Sequence, residues 1–151
     1  METPILPIAS EAERLTLNRA FADLAASEFH GARAHLRDAG AALTAGDYTS
    51  SVRESIHAVE SVARSLWPSD KLSTALASLE KSAAIHGGLK SGFLAICGYT
   101  SDEQGIRHPL IDGPLANVDE TDALFMIGAC ASFVSYLIGK ARSAGLLKKK
   151  K

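Results

Sequence analysis

The sequence predicts an all-α fold, and three observations carry the prediction. Apolar residues recur at three- and four-residue steps along most of the chain, the spacing that lines one face of a helix. No stretch alternates polar and apolar residues over a useful length, and runs of β-branched residues are absent. The periodic stretches are closed by helix stop signals, Gly46 and Pro68 among them.

Taken in order, Met1 to Ser10 carries Pro4 and Pro7 and reads as an extended lead-in, a place where a preceding partner domain would join. The helical domain is expected over 11–142 and a basic tail over 143–151. A first helix is expected from Glu11 to about Ala26, with Leu15, Phe21, Ala22 and Leu24 on its apolar side and Arg19 and Asp23 opposite. A second runs from about Phe29 to Ala45, with Ala32, Leu36, Ala39 and Leu43 at helical spacing. Gly46 follows where a left-handed residue closes a helix.

Asp47 then caps a long third helix, Tyr48 to Trp67, which Pro68 breaks. Val52, Ile56, Val59, Ala63 and Leu66 form its apolar face, and Trp67 belongs at the edge of the core. Leu72, Leu76 and Leu79 mark a short fourth helix that the chain leaves over Lys81 to Ala84. A fifth spans Ile85 to Cys97, with Leu89, Phe93 and Ile96 turned inward and His86 near its start, capping or packing at the surface. Leu110 to Asn117, with Gly113 and Pro114, reads as a loop. Val118 and Asp119 give a hydrophobic entry and a cap, with Glu120 and Asp122 in the first turn of the last helix.

That last helix, to about Lys140 or Arg142, is apolar nearly all round. In a domain of this size, its own chain is expected to cover one side and a partner the other. Ala123 to Gly139 carries no charge and precedes Lys140 and Arg142, but it falls short of the ~20 residues that span a bilayer and contains two serines and two glycines. A soluble, membrane-free reading is preferred. No basic segment followed by an apolar run stands at the N-terminus, so no secretory signal is read.

With 151 residues, 46% of them hydrophobic, the chain has the length of one domain and the means to bury its own core. Its 16 Lys and Arg against 17 Asp and Glu make no global basic field, so any nucleic-acid contact is local. Cys97 and Cys130 form no C-x-x-C pair and no metal spacing with the five histidines. They read as core residues of a cytoplasmic protein, with no cofactor and no metal expected. Lys148 to Lys151 reads as a solvated tail, or else as an unspecific, salt-sensitive hold on RNA.

Two polar constellations stand out. Gly98 to Leu110 packs Asp102, Glu103, Arg107 and His108 between apolar stretches. Gly98 and Gly105 loosen the backbone, Thr100 or Ser101 caps a short turn, and Pro109 stops it. Arg107 stays charged and forks onto phosphate, while His108 exchanges a proton near neutral pH. Alternatively Arg107 pairs with Asp102 or Glu103, and His108 caps the last carbonyls. On the third helix, Arg53, His57, Glu60 and Arg64 fall on one polar stripe. It is either a solvated ladder of ion pairs or one wall of a site that Arg107 and His108 complete.

The strings S-V-R-E-S-I-H-A-V-E-S-V-A-R at Ser51–Arg64, G-Y-T-S-D-E-Q-G-I-R-H at Gly98–His108 and D-A-L-F-M-I-G-A-C-A-S-F-V-S-Y-L at Asp122–Leu137 resemble the C-terminal helical domain of AbiJ-type abortive-infection proteins, which is similar to the HEPN superfamily. The resemblance covers about residues 30 to 140. It implies an antiparallel helical bundle, dimerisation through the helices and, in many members, metal-independent RNA cleavage in phage defence. Those members carry an Arg, then four to six intervening residues, then a His. Arg107 matches the Arg, but Asp112, Gly113 and Pro114 stand where the His belongs, and His108 takes the polar position beside the Arg.

Such cleavage needs a base for the 2'-hydroxyl, an acid for the leaving oxygen and a cation on the phosphate. The expected base is His108 or His57, Glu60 orients His57, and Arg107, Arg53 and Arg64 hold phosphate, duplicated across a dimer axis. The competing reading is a non-catalytic dimerisation module of a larger defence protein. A third is nucleotide or oligonucleotide binding without turnover.

Overall fold

A computed structural model describes residues 10–67, 72–83, 85–102 and 118–147. The Pro4–Pro7 lead-in, Glu103, Arg107, His108, the 110–117 loop and the Lys148–Lys151 tail lie outside them. The described residues form six α-helices in a bundle and no strand.

Helix α1 (Glu11–Asp23) starts at a capping box in which the Ser10 hydroxyl accepts the Glu13 amide and the Glu13 carboxylate accepts the Ser10 amide. Its core side is Leu17 and Ala20, continued by Leu24 beyond its end, with Phe21 partly buried. Leu15, expected inside, is 57% exposed, and Ala22 is exposed too. The steps of three and four from Leu17 through Ala20 to Leu24 define the true phase of this helix, and Leu15 lies off it.

A 3-10 turn, Ser27–Phe29, feeds helix α2 (His30–Thr44). Ala45 ends that helix and Gly46 follows at φ +79°, the left-handed angle that glycine adopts without strain. Asp47 accepts the Ser50 amide at 3.1 Å and opens helix α3 (Tyr48–Leu66). Trp67, ahead of Pro68, is extended as a residue before proline should be, and the helix stops there.

This three-residue connection turns α2 and α3 into an antiparallel pair, the most extensive helix contact among the described residues. Their meeting faces are rich in small residues: Ala32, Ala39 and Gly40 on α2, Ser51, Ser55 and Ala58 on α3, all buried. The Ser51 hydroxyl donates to the Ala39 carbonyl at 2.8 Å across the pair, and the Ser55 hydroxyl donates back to the Ser51 carbonyl at 2.8 Å. Farther along, a methyl on Gly31 would sit 3.2 Å from the Ser61 hydroxyl. The backbones therefore run close, and their register is fixed.

Helices α4 (Leu72–Ala83) and α5 (Gly87–Asp102) close one side through Ala75, Leu76, Leu79 and Cys97. His86 does cap α5, its Nδ1 accepting the Gly88 amide at 2.9 Å. Ile85 is buried ahead of the helix and Leu89 is exposed, not inward. The helix also runs on through Asp102, so Thr100 and Ser101 lie within it rather than capping a new turn. Gly98 takes no left-handed angle, and with no proline before Pro109 nothing stops the helix at Cys97.

Helix α6 (Glu120–Ser143) begins at a second capping box, Asp119 with Asp122. It packs chiefly on α3, then on α1, α2 and α4, and Phe93 of α5 stacks on its Phe133 with ring centroids 3.6 Å apart. The Tyr48 hydroxyl donates to the Glu120 carboxylate at 3.2 Å, tying the starts of α3 and α6, and that acceptor pushes the Tyr48 pKa up. At 24 residues α6 has the length and apolarity to cross a membrane, but 56% of its most apolar window is buried inside the bundle. One side is left open, with Phe125 62% exposed. Cys97 and Cys130 are buried and unbridged, and burial pushes the Cys130 thiol well up.

Truncating Ile56 or Leu36, both fully buried, should destabilise the chain by about 2–5 kcal/mol in denaturant unfolding, from lost burial and an unfilled cavity. Gly46→Ala should cost roughly 1 kcal/mol through its left-handed angle. A loss well under 1 kcal/mol for Ile56→Ala would contradict a packed α2–α3–α6 core.

Candidate functional site

The apolar phase of α3 decides which of its polar residues stay near water. With Val52, Ile56, Val59 and Ala63 buried, Arg53, Glu54, His57, Glu60 and Arg64 fall along the rim of the helix. Glu54 and His57 are one turn apart and share a side. The antiparallel register then brings His35 of α2 against them.

His35 Nδ1 lies 2.6 Å from Glu54 Oε2, a short hydrogen bond between an imidazole and a carboxylate. His57 Nδ1 approaches the same oxygen at 3.9 Å. The two rings meet edge to face with centroids 5.2 Å apart. One carboxylate therefore serves two imidazoles. The side chains of His35, Glu54 and His57 are 38, 22 and 36% exposed, so the group is neither sealed in the core nor free in solvent.

Around it, Arg53 Nη2 donates to the Ser50 hydroxyl at 2.9 Å, on the same helix as Glu54. Arg64 reaches Glu60 at 3.5 Å, one turn away, in a pair whose Arg is mostly exposed. His57, Arg53, Glu60 and Arg64 thus share α3 as the sequence requires. Glu54 sets a carboxylate oxygen 3.9 Å from His57 Nδ1, and Glu60 reaches Arg64. Asp102 ends α5, and Glu103, Arg107 and His108 lie outside the described residues.

Comparison of the chain with family models, curated proteins and solved structures finds no match.

Sequence reasoning missed His35 and Glu54. A signal was present: Glu-x-x-His at Glu54–His57 puts both groups on one face, and His35 lies as far before Gly46 as His57 lies after it. In a helical hairpin, positions equidistant from the turn face each other. The three donor atoms lie within 4.8 Å of one another, close enough for one metal ion. A separate groove of about 580 Å³ between α1, α4 and α6 is lined by Arg19, Ser82, Ser135, Tyr136 and Lys140 and includes none of these residues. Ser135 Oγ is buried there with no hydrogen-bond partner.

A double-mutant cycle on His35→Ala and Glu54→Ala should give a coupling of roughly 1 kcal/mol in unfolding free energy, the scale of a partly exposed, charge-assisted bond. Coupling indistinguishable from zero would mean that the contact contributes nothing to the fold.

Proposed function

We propose that the chain is a HEPN-like domain of a bacterial abortive-infection protein that cleaves RNA as a cytoplasmic homodimer, with the polar rim of α3 facing the substrate. The observation that supports this most is the pair of imidazoles on one carboxylate. Transesterification of RNA needs one group to take the 2'-hydroxyl proton as that oxygen attacks phosphorus. A second must protonate the departing 5'-oxygen, leaving a 2',3'-cyclic phosphate. His57 and His35 supply two such groups from one side of the bundle, and Glu54 orients His35 through its short hydrogen bond. Arg53 and Arg64 on the same helix provide positive charge for the phosphate, joined by Arg107 and His108 from the resemblance.

A second reading is a non-catalytic dimerisation or nucleotide-binding module. The Arg64–Glu60 pair and the His35–Glu54 bond favour it, since they are internal pairings of the kind a solvated ladder makes.

The test is cleavage of labelled single-stranded RNA in EDTA by the chain and by folded His57→Ala, Arg53→Ala and Arg107→Ala variants. The RNase reading expects a rate that falls by about a hundredfold or more without the base. If the parent leaves RNA intact, the module reading replaces it; if His57→Ala cuts at the parental rate, His57 is not the base and the site proposed on α3 is wrong.

Dimerisation is proposed through the open side of α6, where Phe125 is the large apolar residue left uncovered. Phe125→Glu should shift the chain from dimer to monomer in light scattering after gel filtration, with helix content unchanged. A parent that elutes as a monomer at all concentrations would end that proposal.

A further inference from the structure

We propose that His35, Glu54 and His57 bind one divalent transition ion of the zinc, cobalt and nickel class. Two imidazoles and one carboxylate form a donor set of borderline softness. It suits these ions, and it suits neither magnesium and calcium, which want more oxygens, nor copper(I), which wants thiolates. The two cysteines are not part of the group.

The geometry is close to what an ion requires. Around a tetrahedral centre, neighbouring nitrogen and oxygen donors stand about 3.4 Å apart when each lies about 2.1 Å from the ion. Glu54 Oε2 is 2.6 Å from one Nδ1 and 3.9 Å from the other. The carboxylate is now drawn to His35 by their hydrogen bond. A shift of the oxygen from His35 toward His57 brings both spacings nearer that value, and the three donor atoms already lie within 4.8 Å of one another. The ion takes the place of the hydrogen-bonding proton.

The scaffold is also suited to the task. Glu54 and His57 are one turn apart on α3, and His35 comes from the neighbouring helix, an arrangement by which helical bundles build metal sites. The Ser51–Ala39 bond and the close backbones fix the register that sets α2 against α3. Three protein donors leave a fourth position, and the partial exposure of all three lets water or another ligand fill it.

This proposal does not rest on the RNA reading. Where both hold, they are alternative states of one site, because an ion on the Nδ1 atoms removes the proton that ties His35 to Glu54.

The test is titration of the EDTA-stripped, desalted chain with CoCl2, followed by the visible absorption of bound Co2+, and calorimetry with ZnCl2 and with MgCl2. His35→Ala, His57→Ala and Glu54→Gln are measured in parallel after circular dichroism shows native helix content. Expected are one Co2+ or Zn2+ per chain, no Mg2+ uptake, and at least about a tenfold loss of affinity in each variant. Glu54→Gln, isosteric with the native residue, keeps the test open if an alanine variant does not fold. Absence of Co2+ and Zn2+ uptake overturns the proposal, as does uptake that all three variants leave unchanged. No RNA is present, so a negative result here leaves the cleavage experiment to stand or fall separately.

Discussion

The close antiparallel contact between α2 and α3 is the constraint on which the rest depends. It exists because the sequence places alanine, glycine and serine where the two helices meet, and small side chains let backbones approach. Serine brings a hydroxyl into that interface, which would cost about 1–3 kcal/mol if left unpaired. Ser51 avoids the cost by donating to the Ala39 carbonyl across the interface. That bond holds only in one register, so a polar group in the core helps to specify which residues face each other at the rim. His35 meets Glu54 and His57 as a consequence.

The other side of α3 is committed to α6, and this fixes the rotation of α3 about its own axis. With Val52, Ile56 and Val59 turned inward, the helix cannot roll to bury His57 or to expose Ala58 without emptying part of the core. The rim residues are therefore held in place by packing that none of them makes. Helix α6 has spare apolar surface because it is apolar nearly all round, while α1 to α5 cover only part of it. Phe125 is where that mismatch reaches the surface.

Much of the fold was legible in the sequence because its signals are local. Asp47, Gly46, Asp119 and the prolines act within a few residues, and the apolar face of α3 repeats cleanly enough to set its phase. The phase of α1 was misread since Leu15 and Leu17 are both plausible core residues, and only contact with α6 selects Leu17. The end of α5 was misread for a related reason: Gly98 suggests a break, but a glycine within a helix costs only about 1 kcal/mol and neighbouring residues carry it. At the site, His57 and its stripe were readable from spacing within one helix. His35 needs a second signal, its equal distance from Gly46 on the other side of the turn, because its partner lies on another helix. Glu54 lies one turn before His57 as Glu60 lies one turn after it, and the packing of α2 brings His35 against the Glu54 side.

One carboxylate between two imidazoles has few stable arrangements, and that scarcity is informative. If Glu54 binds His35 by a hydrogen bond, His57 is left at 3.9 Å, too far for a bond of its own to that oxygen. The asymmetry makes the two histidines unequal, one held by a short hydrogen bond to Glu54 and the other farther from that oxygen. In the proposed RNA reading, that inequality would give the two histidines different roles in proton transfer. For an ion, it disappears, since coordination draws both imidazoles onto one centre. The same three side chains thus separate into roles when the site holds a proton and act as equals when it holds a metal. Which state prevails is set by the competition between a proton and an ion for the Glu54 carboxylate and the His35 nitrogen.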